Sequence, residues 1–224
     1  MDLGSLIFFL IAVVIVYILY ILYFRPNSVN EVPGEINLSQ SPPAVTTIIK
    51  PGSINFTYSL WMYVNQWQTG SAKVIFRSKN ASSVFHTLKL GQADPTLTFE
   101  VQNDGTAANM ESINITSAFP LQKWMHLTIC VSGQIMDFYL NGKMVKSVQN
   151  RIAPTIDITT IEFGTGFDCY IRKFKRSLET VSQEQVNNDY LAGNGMMGLS
   201  SATSLEGRVE ILKDSQVQTS VKLF

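Results

Sequence analysis

The sequence predicts an all-β fold, a jelly-roll sandwich of two antiparallel sheets, preceded by one transmembrane helix. Three observations predict it. An uncharged apolar run fills Leu3 to Phe24, and short alternating runs broken by turn dipeptides follow from residue 44 onward. After the apolar run, a single segment carries helical spacing.

The apolar run comes first. At 1.5 Å per residue, Leu3 to Phe24 is about 33 Å long, against a hydrocarbon core of about 30 Å. A buried core helix would show a polar stripe, and none is present. A cleaved signal peptide would open on basic residues and leave through small ones. Here the chain opens on Met1-Asp2 and leaves through Tyr23-Phe24-Arg25-Pro26, so the segment is read as a retained anchor. Tyr17, Tyr20 and Tyr23 suit the headgroup layer, Arg25 supplies the flanking charge, and Pro26 stops the helix.

Arg25 on one flank and Asp2 on the other place the β domain on the cytosolic side. Sequons at Asn37, Asn55, Asn80 and Asn114 argue for the lumen instead. Composition alone supplies roughly two or three such triplets, and Asn55 and Asn114 fall in expected strands, which are poor glycan sites. The cytosolic side is favoured.

Removing the anchor from the 224 residues leaves enough chain for one sizeable β domain. Lys plus Arg and Asp plus Glu number 17 each, which argues against a nucleic-acid partner. The two cysteines, Cys130 and Cys169, form no CxxC or Cys/His cluster, so no zinc site is expected. They read as buried free thiols, with a bridge as the alternative.

Residues 25–43 hold four prolines among small polar residues and read as a linker. Expected strands then follow at Ala44–Lys50, Ile54–Val64, Lys73–Arg77, Val84–Leu90, Thr96–Val101, Ser112–Thr116, Trp124–Val131, Gln134–Leu140, Lys143–Val148, Ile158–Phe163 and Phe167–Lys175. In the second, alternation puts Ile54, Phe56, Tyr58, Leu60, Met62 and Val64 on one face. Asn141-Gly142 predicts a type I′ hairpin turn, because both central residues need φ > 0. The helix is expected over Glu179–Leu191, ended by Gly193. Alternation resumes at 207–211 and 217–224, read as a hairpin or arm.

Three segments resemble the concanavalin A-like lectin/glucanase superfamily, in its laminin-G-like and pentraxin-like branches. They are Phe56-Thr-Tyr-Ser-Leu-Trp61, then Trp124-Met-His126 with Tyr139-Leu-Asn141-Gly142-Lys143, and the closing run from Gly166 to Leu178. The likeness covers roughly residues 44–193, so the domain plan is anchor 1–24, linker 25–43, sandwich 44–193 and extension 194–224. Trp61, Trp124, His126, Asn141 and Gly142 are then expected to be fold-bearing, with Trp124 and His126 packed side by side on one strand face.

The resemblance implies paired carboxylates for a glucanase, typically Glu-x-Asp-x-Glu on one strand. This chain scatters its acids singly at Asp94, Asp104, Glu111, Asp137, Glu162 and Asp168, so it is read as no enzyme. The expected function is a non-catalytic, membrane-anchored structural or binding module. Its layout resembles the membrane-anchored minor structural proteins of large double-stranded DNA viruses, which tie an internal membrane to a capsid shell. The partners are then a bilayer and capsid proteins. The second reading is a membrane-tethered lectin, with Trp67, Asn65 and Asp94 as a glycan platform beside Trp61. No cofactor is expected; calcium enters only with the lectin, on Asp104 beside Asn103.

Overall fold

The computed structural model describes residues 10–17, 29–49, 54–102, 110–150, 157–195 and, for the backbone, 208–213 and 216–222. Residues 10–17 form a helix, α1, with exposed apolar side chains from Leu10 to Tyr17. Among the described residues no helix is long and apolar enough to cross a membrane. The rest of the expected anchor, with Leu3, Tyr20, Tyr23, Phe24 and its flank Arg25, lies outside the described residues.

Two antiparallel sheets form the sandwich. The six-stranded sheet runs β1 (Val29–Asn37), β11 (Cys169–Ser177), β2 (Asn55–Val64), β7 (Met125–Ser132), β8 (Ile135–Leu140) and β9 (Lys143–Gln149). The five-stranded sheet runs β10 (Thr160–Phe163), β3 (Lys73–Lys79), β4 (Val84–Leu90), β5 (Leu97–Gln102) and β6 (Met110–Thr116). Facing apolar side chains close the core. Phe56, Tyr58 and Leu60 of β2 and Phe138 and Phe174 of the same sheet pack with Phe76, Leu88 and Phe99 opposite. The expected alternation in β2 holds from Phe56 to Val64, but Ile54 lies outside the strand and is 52% exposed.

Two assignments near the N-terminal side are corrected. The segment 25–43, expected as a linker, contains β1, an edge strand that pairs with β11 from Val29↔Ser177 to Asn37↔Tyr170. Its prolines gave the linker reading, yet an edge strand tolerates them because one row of N–H groups faces away from the ladder. Pro33-Gly34 falls at a bulge in that pairing, with φ of +86° at Gly34. Conversely, the strand expected at 44–50 is reduced to one isolated bridge, Val45↔Ile161. The buried side chain of Asn30 holds this segment instead, donating to Thr47 O (2.7 Å) and accepting from Ile49 N (3.0 Å).

The hairpin turn is as the sequence dictates. Asn141 and Gly142 have φ of +49° and +78°, and the Asn141 Oδ1 accepts from His126 N at 2.9 Å. A Cβ on Gly142 would meet Asn187 Oδ1 at 2.9 Å and the Tyr190 ring at 3.3 Å. Gly142→Ala is therefore expected to cost about 1–2 kcal/mol from the left-handed backbone alone, and to loosen the helix above it. Urea unfolding followed by tryptophan fluorescence measures this.

That helix, α2 (Gln183–Leu191), starts at Ser182, whose side chain accepts from Gln185 N. The cysteines are buried and free. Cys130 lies opposite Thr57 and Cys169 opposite Val64, seven residues further along β2. That offset is roughly 23 Å, beyond any disulfide span. In the extension, β12 (Arg208–Lys213) and β13 (Gln216–Lys222) pair with each other as a two-stranded antiparallel hairpin.

Candidate functional site

Strand β2 is buried on both faces. Its even-numbered residues fill the core, so Thr57, Ser59, Trp61 and Tyr63 point outward, and α2 covers the middle of that outer face. Tyr190 stacks on Trp61 with ring centres 5.7 Å apart and planes at 20°, and Val186 is buried beneath the helix. Gln183 donates to Gly142 O at 2.5 Å, and Lys175 pairs with Asp189 at 2.9 Å. Trp61 is thus buried under the helix and outside the inter-sheet core.

His126 sits in the same covered layer. Its Nε2 lies 3.1 Å from Ser59 Oγ and its ring centre 5.1 Å from that of Trp61. Burial, chiefly, holds it neutral, pulling its pKa to about 4 against the partial opposition of Asp189, with Lys175 and Lys173 adding to the depression. A ring sealed beneath a helix is structural. Trp124 takes other partners: its ring is 5.5 Å from Tyr63, and the Arg172 guanidinium lies 5.6 Å from its centre.

Beyond the last turn of α2 the outer face is open. Tyr63 stands in register with Tyr170 on β11 and packs between Tyr170 (6.4 Å) and Trp124. All three aromatics are half-buried. Arg172, held by Glu35 at 2.7 Å, is presented across Trp124. A planar guanidinium on an indole face is a favourable contact that pre-orders both groups. Lys173, with φ of +48°, occupies the β11 bulge, which resets the alternation so that Tyr170 and Arg172 face out while Phe174 and Arg176 face in.

Asp168 links this platform to a polar cleft at the strand ends. Its carboxylate accepts from Asn65 Nδ2 at 2.6 Å. The charge of Asp168 above all, with smaller contributions from burial and Glu35, raises the Tyr170 pKa. The cleft has a volume of about 280 Å³ and is lined by Ser39, Gln66, Gln68, Lys73, Gly166, Phe167 and Asp168. Amide, hydroxyl, carboxylate and ammonium groups line this cleft, and Asp168, two residues before Tyr170, lies between it and the aromatic shelf. They lack the paired carboxylates that glycoside hydrolysis requires.

The residues proposed as a glycan platform are placed as follows. Trp67 is half-buried against the core and donates its indole N–H to Gly91 O at 3.2 Å. Asp94 caps its own turn, accepting from Thr96 N at 3.1 Å and from the Thr96 hydroxyl. Asn65 alone of the three joins the cleft, through Asp168. Asn103 and Asp104 lie outside the described residues, among which no group of three or more His, Cys, Asp or Glu is placed to hold a metal. Sequence reasoning passed over Tyr63, Tyr170 and Arg172. The signal was the polar-facing half of two alternating strands, Tyr63 in one and Tyr170 and Arg172 in the other, where aromatics had no core to fill.

Comparison with known proteins decides the family. A laminin-G-type model of the concanavalin A-like lectin/glucanases superfamily matches residues 40–170. The chain belongs to that superfamily. Among solved structures, the concanavalin A-like sandwich is similar to the binding domain of botulinum neurotoxin serotype D (TM-score 0.59, 18% identity, 73% of this chain and 45% of that one). It also resembles that toxin's ligand binding domain in complex with N-acetylneuraminic acid (0.57, 19%, 73% and 44%). A third is the binding domain of botulinum neurotoxin DC in complex with rat synaptotagmin II (0.51, 20%, 62% and 36%). This chain spans less than half the length of each, and at such identity the likeness is one of fold. No curated protein matches the chain.

Proposed function

We propose that this chain is a non-catalytic binding module, anchored in a membrane by residues 3–24, that engages a partner at the far end of its six-stranded sheet. The observation that carries the reading is the open platform of Tyr63, Trp124 and Tyr170 with Arg172 laid across it. Tyr, Trp and Arg are the residues that dominate binding energy at protein interfaces. Strand β1 leaves the anchor side at Val29 and reaches the platform at Asn37↔Tyr170, so the site is offered on the side of the sandwich remote from the anchor. A structural role follows naturally, as a tether between a bilayer and a protein shell such as a virion capsid, with the sandwich on the cytosolic side.

The polar cleft favours a second reading, in which the aromatics stack a sugar ring and Asp168, Gln66 and Gln68 hydrogen-bond its hydroxyls. One toxin domain of this fold was solved with N-acetylneuraminic acid and another with rat synaptotagmin II, so the fold accommodates either kind of partner.

Full-length protein in nanodiscs, presented both to candidate shell proteins and to a glycan array, separates the two. Trp124→Ala is expected to weaken binding to a shell protein by about thirty-fold, the scale of a hot-spot loss, with unchanged circular dichroism. Loss of glycan binding in the same variant would promote the lectin. Undiminished binding by the variant would remove the platform from consideration.

A further inference from the structure

The opposite rim of the six-stranded sheet carries a second feature. Val29, Ser177, Asn55, Ser132, Ile135 and Gln149 all end or begin strands on that rim. Ile54 is 52% exposed there and Ile135 is 48% exposed. The register sets them two strand spacings apart, about 10 Å. Two isoleucines that face water on one rim, at the chain entry to the domain, call for a partner.

We infer that this rim rests in the headgroup layer of the bilayer, with Ile54 and Ile135 as its lipid contacts. The inference rests on the anchor reading proposed above. If the anchor ends at Phe24, four residues separate it from Val29, which is already locked to Ser177. Five peptide steps reach at most about 17 Å, and the headgroup layer itself takes up about 6 Å of that on each side of the hydrocarbon. The tether therefore keeps the rim within about 11 Å of the headgroup surface, while the platform stands roughly 25–30 Å further away along the strands.

The rim is also prepared for a drier layer. Asn55 Oδ1 accepts from Gly133 N at 2.9 Å, and Asn150 N donates to Gln134 O at 2.7 Å, so turn groups are satisfied within the protein. Groups so paired lose little on leaving bulk water. Exposed Glu179, just past β11, limits the depth. The contact is at headgroup level.

The test uses full-length protein in phosphatidylcholine nanodiscs, carrying a nitrobenzoxadiazole label on Ile54→Cys, Ile135→Cys or, at the other end of the sandwich, Leu121→Cys. The native thiols are buried, so the folded protein labels selectively. Emission at 54 and 135 is expected to be blue-shifted, several-fold brighter than at 121, and quenched by headgroup-region spin-labelled lipid. If all three labels report water while the protein resists carbonate extraction, the inference falls and the anchor stands. If carbonate releases the protein, the anchor reading falls and takes the inference with it.

Discussion

Replacing Gly164 with alanine is expected to lower the thermal midpoint by about 10 °C, from a destabilisation of at least about 3 kcal/mol. Gly164 follows β10, and its N–H donates to Ile75 O at 2.9 Å. A Cβ there would stand 1.7 Å from Val74 O and 2.6 Å from Val74 C. Those are backbone atoms, which cannot swing aside as a flexible side chain would. Strand β3 would have to retreat, breaking its Phe163↔Phe76 register with β10 and reopening the core around the buried Ile75 and Phe76. Thermal unfolding of the variant beside Gly166→Ala makes the comparison. Gly166 has φ of +81° but nothing within 4 Å of its Cβ position, so it isolates the backbone cost from the clash. Equal midpoints for the two variants would contradict the packing argument.

Acidification from pH 7 to pH 5 is the second large effect, with an expected loss of about 2 kcal/mol for each of the two histidines. His86 is buried between the sheets, with Nδ1 2.8 Å from Ser78 Oγ and 3.3 Å from Tyr58 Oη, and Phe56 and Phe99 packed against its ring. Burial first, and the nearby Arg176 charge second, lower its pKa to about 3. His126 is held near 4 in its separate layer under α2. Neither His86 Nε2 nor His126 Nδ1 has a hydrogen-bond partner among the described residues, so a second ring proton would be buried without an acceptor.

Both folded values lie below the ordinary histidine value of 6.5. Between those limits the unfolded chain binds more protons, so stability rises with pH. It is complete above about 6.5, and is lost as the pH falls towards about 4 for His126 and about 3 for His86. Urea midpoints at intervals from pH 7.5 to 5 measure the slope, and His126→Gln is expected to remove about half of it. A flat profile in the wild-type chain would show that the two rings are hydrated and titrate normally.

Much of the fold was legible because strand alternation and turn chemistry are local. Phe56 to Val64 alternates on a two-residue period, and Asn141-Gly142 adopts the two positive φ values its turn type requires. Of the residues that carry the family resemblance, Trp61 and His126 are buried in the layer under the helix, while Trp124, expected beside His126, packs on Tyr63 and Arg172 instead. Strand β1 was missed because Pro33 and Gly34 read locally as linker, whereas pairing with β11 is decided about 140 residues away. The site was less legible still. Trp67 and Asp94 looked like ligand groups by type, yet the first is tied to Gly91 O and the second to Thr96.

The sequence by itself determined the all-β class, the strand run from β2 to β11, the helix after it, and the absence of a paired-carboxylate signature in the chain. Each of these follows from residue type and short-range spacing. Only the tertiary structure decided which aromatics are open. Register sets Tyr63 beside Tyr170, the β11 bulge at Lys173 turns Arg172 outward, and α2 stops short of them while sealing Trp61 and His126. Exposure is a property of what folds over a residue, and that covering came from a helix more than a hundred positions beyond Trp61 in the chain.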